Sequence, residues 1–154
     1  MYVLYKNGVK QYPYTLTDMI FANPNTSFPS TITDAVAAQF GVYPVQEVAP
    51  PAYDYATQNL SSDAVLQGGS WVQVWSVTSA SSEEIAQRRD GQASMVRSQR
   101  DQLLHANVDV FNAIRWEALD DATKQQWRDY RQELLDVPQQ AGFPWNVTWP
   151  VVPT

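Results

Sequence analysis

The sequence predicts an α+β fold: a small N-terminal antiparallel sheet with short helices, then a helical hairpin, then an extended tail of aromatic residues and prolines. Three observations carry that expectation. Asn7-Gly8 separates two strand-like runs at the start, the dipeptide that suits a type I′ hairpin turn. From Ser81 to about Ala106 there is no proline and a helical capping signature stands at the front. Charge is zoned along the 154 residues: residues 1–80 and residues 81–136 each carry −3, the second at far higher density, and residues 137–154 carry no charged side chain. The chain therefore divides into 1–80, 81–136 and 137–154.

The elements run in order along the chain. Tyr2–Lys6 and Val9–Tyr14 flank the Asn7-Gly8 turn. Residues 15–21 suit one or two helical turns, stopped by Asn23-Pro24. Ser30 or Thr31 is expected to cap a short helix over Thr33–Phe40, with Ile32, Val36 and Phe40 on one face and Gly41 at its left-handed end. Val42–Val48 reads as a strand closed by Pro50-Pro51. Tyr53–Leu66 and Ser70–Ser79 read as an antiparallel pair around Gly68-Gly69. In the second of these, Trp71 and Trp75 alternate with Val72 and Val74, so both faces carry apolar groups.

Ser81-Ser82-Glu83-Glu84 is a capping box. The helix behind it has a thin apolar stripe of Ala86, Ala93, Val96, Leu103 and Leu104, interrupted by Arg88, Arg89, Arg97 and Arg100. A stripe so narrow needs a partner surface, because helices in water are held mainly by packing an apolar face. A second helix is expected from Asp120-Asp121 to about Asp136, with Trp127, Tyr130 and Leu134 inward and Pro138 ending it. The connection 108–119 is expected to be irregular. In the tail, Pro138, Pro144, Pro150 and Pro153 forbid a helix, and Phe143, Trp145, Val147, Trp149 and Val151 alternate as an extended edge or polyproline-like strap would.

Composition narrows the function. Hydrophobic residues at 44% and charged residues at 17% are those of a foldable chain. Without cysteine there is no disulfide scaffold, thiolate metal site or cysteine nucleophile. Sixteen acidic residues against ten basic ones argue against nucleic-acid binding. No run approaches the roughly 18 apolar residues of a membrane span, and Lys6 and Asn7 interrupt what a signal peptide would need to be apolar.

Catalytic constellations are missing as well. His105 is the single histidine, flanked by Asp101 and Asp109, and reads as structural. Glu83/Glu84 and Asp120/Asp121 sit at helix starts and read as complements of the helix dipole. Neither a nucleophile elbow nor a phosphate loop occurs. The expectation is no enzyme and no cofactor. The aromatic residues divide between core packing and a protein interface, with Tyr12, Tyr14, Tyr43, Tyr53 and Tyr55 leaving a carbohydrate site open.

One stretch is more specific. Trp127-Arg128-Asp129-Tyr130-Arg131 through Leu134, Asp136 and Pro138, followed by Gly142-Phe143-Pro144 and Val147-Thr148-Trp149-Pro150, resembles the phage tail assembly chaperone family of tailed bacteriophages. Arg97-Ser98-Gln99-Arg100 is similar to that family's basic helix. The resemblance covers about residues 83–153. It departs where Asp109 is followed by Val110 rather than Trp, and where Leu135 stands before the helix-final Asp in place of a basic residue.

The resemblance implies a non-catalytic bacteriophage tail protein that binds and helps assemble the tail fibre, in the host cytoplasm or retained in the virion tail. The alternatives are a permanent component joining fibre to baseplate, and a carbohydrate-binding fibre tip. The candidate partner-binding residues are Arg97, Arg100, Trp127, Tyr130, Arg131, Phe143, Trp145 and Trp149. Expected partners are a tail fibre or baseplate protein and, for the thin-striped helix, another copy of the chain, with no nucleic acid and no membrane.

Overall fold

The computed structural model describes residues 1–153, so Thr154, the last residue of the expected tail, lies outside the described residues. The chain forms two compact units, Met1–Ala80 and Ser81–Thr154, and its fold is α+β as expected.

In the first unit, β1 (Tyr2–Lys6) and β2 (Val9–Tyr14) form the hairpin. Asn7 and Gly8 have φ of 54° and 79°, the positive values that both central positions of a type I′ turn require. Thr15 and Asp18 cap α1 (Leu16–Ala22) reciprocally, the Asp18 amide donating to the Thr15 hydroxyl at 3.1 Å. Helix α2 is shorter than expected, Asp34–Ala38, and its cap is Thr33 rather than Ser30 or Thr31. Thr33 is the last extended residue, so its hydroxyl, and no earlier one, reaches the Val36 amide. Gly41 then turns with φ of 80°, and a Cβ there would stand 2.9 Å from the Tyr5 carbonyl oxygen.

Strands β3 (Val42–Gln46), β4 (Gln58–Gln67) and β5 (Ser70–Ser79) complete the sheet, in the order β2-β1-β3-β5-β4. The sheet is mixed, not wholly antiparallel as expected, because β3 and β5 run parallel. Strand β4 leaves one strand's width beside β3, and β5, returning through Gly68-Gly69, fills it in the direction of β3. β4 also starts later than Tyr53. Asp54 closes a turn first, accepting from the Ala56 amide and the Thr57 hydroxyl. Those bonds, the Thr57 hydroxyl foremost, hold the Asp54 carboxyl below the usual carboxylate range. Buried Gln73 accepts from the Val48 amide while the Trp75 indole donates to the Val48 carbonyl at 2.7 Å, so β5 clamps the chain leaving β3.

Alternation along β1 feeds a core on each face of the sheet. Tyr14, Met19, Ala37 and Val42 pack with Leu4, Phe28 and Phe40 on the helix-covered side. Val3, Val45 and Ala64 pack with Tyr12, Tyr43 and Trp71 on the other. Lys10 of β2 reaches both the Asp63 carboxylate and the Ala64 carbonyl of β4, which joins the two outer strands.

The second unit opens with α3 (Ser82–Leu103), capped reciprocally by Ser81 and Glu84. It does not stay α-helical to Ala106. At Leu104–Val108 it widens into a π-helical turn. The connection expected to be irregular contains a further helix, α4 (Ala113–Glu117), whose Arg115 amide is capped by Asn112 at 2.9 Å. Helix α5 (Asp121–Asp136) comes next, and the chain tightens into a 3-10 turn at Val137–Gln139, where Pro138 can no longer continue an α-helix.

The core of this unit comprises Ala93 and Val96 of α3, Tyr130 and Leu134 of α5, Val137, and Pro144 of the tail. Of the two forms expected of the tail, an edge strand or a strap, its described residues form no edge strand. The Asn146 amide donates to the Gly142 carbonyl and closes a turn that sets Phe143 and Pro144 against α3. The Arg97 guanidinium lies 5.3 Å from the Phe143 ring centroid, and the Gln92 amide donates to the Pro144 carbonyl. A Cβ on Gly142 would overlap the Asn146 carbonyl, so the turn admits only glycine as it stands. Beyond it, the Gln140 side chain both donates to the Thr148 carbonyl and accepts its amide, an amide standing in for a neighbouring strand. Val151, Val152 and Pro153 then lie beside Gln126, Asp129 and Glu133 of α5. The tail is a strap over the helices of its own unit.

The cap of α5 predicts a pH dependence. Asp120 accepts from the Thr123 amide and hydroxyl at 2.8 and 2.9 Å, and these bonds, the amide first, hold its carboxyl below the ordinary value. A depressed carboxylate lends stability that is complete above its unfolded pKa and lost as pH falls through the lower folded one. The acid side of a stability–pH profile should therefore flatten in Asp120→Asn, with little change at neutral pH because asparagine also caps.

Candidate protein-binding groove

The site is built on the turn from α3 to α5. The π turn projects Asn107 inward, where its side-chain amide donates to the Tyr130 hydroxyl at 3.1 Å. Irregular helical turns of this kind recur at functional positions, because one added residue re-aims the side chains beyond it. The first aromatic residue past the turn is Phe111. Its ring meets Trp127 at 4.8 Å and Trp116 at 5.8 Å, both edge-on, and Trp127 meets Tyr130 at 5.8 Å with perpendicular planes. Edge-to-face pairs of this kind add about 0.5–1.5 kcal/mol each beyond the area they bury. The four rings form a continuous wall contributed by α4, α5 and the loop between the π turn and α4.

Between these elements lies a groove of about 390 Å³, lined by Val108, Phe111, Asn112, Ala113, Trp116, Trp127, Arg128 and Arg131. Its floor is apolar, and its charged lining is two guanidinium groups. Arg128 lies 5.6 Å from the Trp116 ring centroid and bonds to the Gln125 side chain. Beside the groove Ile114 is 81% exposed and Val110 is half exposed. Half-buried aromatic rings flanked by arginine are the composition of energetic centres in protein interfaces.

The candidate residues sort into three places. Trp127 and Arg131 line the groove. Tyr130, at 2% exposed and hydrogen-bonded to Asn107, is a core residue that supports the groove from behind and is not presented to a partner. Arg97 and Phe143 stack on each other within the unit, and Arg100 pairs with the adjacent Asp101 at 2.6 Å. Trp149 is half-buried in the strap and Trp145 is 43% exposed. The tyrosines considered for carbohydrate do not form one platform. Tyr14 belongs to one sheet core, Tyr12 and Tyr43 to the other, and Tyr53 and Tyr55 lie exposed in the approach to β4. His105 is exposed in the π turn.

Phe111, Ala113, Trp116 and Arg128 were not singled out by sequence reasoning as partner-binding residues. Their one local signal is Asn112, a cap residue set between Phe111 and a short run holding Ile114 and Trp116.

Comparison with known proteins bears on the segment that builds this groove. Residues 93–154 match the phage tail assembly chaperone protein family. The resemblance read from Trp127 to Pro150 is thereby shown, and the match supports a role in phage tail assembly and points to a non-catalytic one. It begins within α3 and takes in the π turn, α4, α5 and the strap; residues 1–92 lie outside it. No curated protein and no solved structure matches the chain. Among the described residues no helix is long and apolar enough to cross a membrane.

Proposed function

We propose that this chain is a non-catalytic assembly factor that binds the tail-fibre polypeptide in the host cytoplasm, and that the groove between α4 and α5 is where it does so. The observation that supports this reading is the groove itself: an aromatic, arginine-flanked depression whose lining falls wholly inside the segment that matches the assembly chaperone family. Exposed apolar surface of this kind is a solubility liability unless something covers it. Release after assembly is the natural outcome for a factor whose contact rests on one groove. Retention as a joint between fibre and baseplate is the second outcome, and the composition of purified particles separates the two.

The variant that tests the site is Ala113→Glu. Position 113 is the exposed first residue of α4, where a carboxylate suits the helix terminus, so the unit should fold while a longer charged side chain fills the groove. Co-purification of the fibre polypeptide with the chain is expected for wild type and lost for Ala113→Glu at an unchanged melting temperature. Equal recovery with both would remove the groove from the contact.

A further inference from the structure

The groove carries information about the chemistry of its ligand, beyond the fact of binding. Helix α5 has two electrically distinct flanks on either side of its buried stripe. At 100° per residue, Lys124, Arg128 and Arg131 fall on one row, behind Asp121 of the first turn, and Asp129 and Glu133 fall on another, with Tyr130 and Leu134 between the two. The acidic row faces the strap residues Val151–Pro153. Arg128 and Arg131 of the basic row line the groove.

Two features of the basic row are unusual for a chain of net charge −6. Like charges three and four residues apart on a helix repel, so the row costs the isolated protein a little stability. Its arginines are also not neutralised from within. Arg128 bonds to the neutral Gln125 and stacks on Trp116, and Arg131 makes neither a hydrogen bond nor an ion pair among the described residues. No carboxylate lines the groove. The α4 carboxylate, Glu117, is exposed elsewhere on its helix, with its backbone carbonyl rather than its side chain meeting Lys124.

From this charge complementarity we infer that the groove recognises an acidic-apolar peptide segment of its protein partner. An apolar side chain enters between Phe111, Trp116 and Trp127, and carboxylates beside it meet Arg128 and Arg131. The planar guanidinium fork suits a carboxylate, and Arg131 has its donors available. The aromatic floor provides affinity, while the arginines steer encounter and reject basic or neutral segments. This inference rests on the groove being the partner site, as proposed above, and names the partner's chemistry there.

The test uses the full chain and a short fluorescein-labelled peptide of Asp, Glu, Leu and Trp. A matched peptide has every Asp and Glu replaced by Asn and Gln, and a labelled single-stranded oligonucleotide serves as a polyanion without an apolar anchor. Fluorescence anisotropy should show the acidic peptide binding, its affinity falling as salt is raised through the range that screens exposed pairs, and the neutral peptide binding about ten-fold more weakly. The double variant Arg128→Gln/Arg131→Gln should bind both peptides alike. Arg115→Gln, a charge change outside the groove, should keep the discrimination. Equal binding of both peptides by wild type, binding of neither, or binding of the oligonucleotide in place of the acidic peptide would each overturn the inference. A fibre polypeptide that is lost with Ala113→Glu yet fully retained by Arg128→Gln/Arg131→Gln would leave the groove as the site and refute its charge preference.

Discussion

Truncating Leu134 to alanine is expected to cost the second unit about 2–5 kcal/mol. Leu134 is wholly inaccessible to solvent and sits between Tyr130 and Val137 on the inward row of α5. Removing its three terminal carbons leaves a cavity that the packed surroundings fill only in part. Arg131→Ala, three residues away on the exposed flank, should stay within about 0.5 kcal/mol, as surface changes without a buried partner do. Trp127 is the intermediate case. Its ring is only half-buried, so Trp127→Ala should fall short of the roughly 3–5 kcal/mol of a fully enclosed ring. Urea titration followed by far-ultraviolet circular dichroism measures all three. Equal small losses at 134 and 131 would mean that α5 is rotated about its axis.

Deleting residues 139–154 is expected to be nearly as damaging. Pro144 is fully buried, Phe143 and Trp149 are half-buried, and Gln140 holds Thr148 by two hydrogen bonds. At the usual value per buried apolar area these groups together contribute on the order of 3 kcal/mol. For a unit of this size that corresponds to a fall of roughly 10–20 °C in melting temperature. Helix α3 should suffer most. Ala93 and Val96 are its only two buried hydrophobic residues among those described, and the strap lies against the same helix through Phe143 and Pro144. A deletion that melts with the intact chain would show that the strap is not holding the helix.

The parts of the fold written in short-range chemistry were legible before the structure. Asn7-Gly8 has one inexpensive use, a turn with two positive φ values, and it makes that turn. Ser81 with Glu84, and Asp120 ahead of α5, are caps whose partners lie three residues away. Tyr130 and Leu134 could be placed inward because helical spacing alone sets the row. The parallel pairing of β3 with β5 was not legible, since nothing in Val45 or Trp71 states which way a partner strand runs. Helix α4 is five residues long, below the length at which periodicity has meaning, and in the π turn Asn107 meets a tyrosine hydroxyl 23 residues away, beyond the reach of local spacing. The groove is assembled from the end of the π turn, the loop after it, α4 and α5. Trp127 and Arg131 were within reach of sequence reasoning because they stand on a regular helix, whereas Phe111 and Trp116 acquire their role only from the fold.

The central claim is that a tail-fibre polypeptide contacts this chain at the groove of the second unit, and site-specific photocrosslinking in infected cells tests it most directly. A photoreactive residue at position 114, beside the groove and 81% exposed, is compared with one at Val65 on the outer strand β4. The account predicts that position 114 crosslinks to the fibre polypeptide and that Ala113→Glu abolishes the product, while position 65 gives none. A fibre crosslink from position 65 with none from position 114 would contradict it.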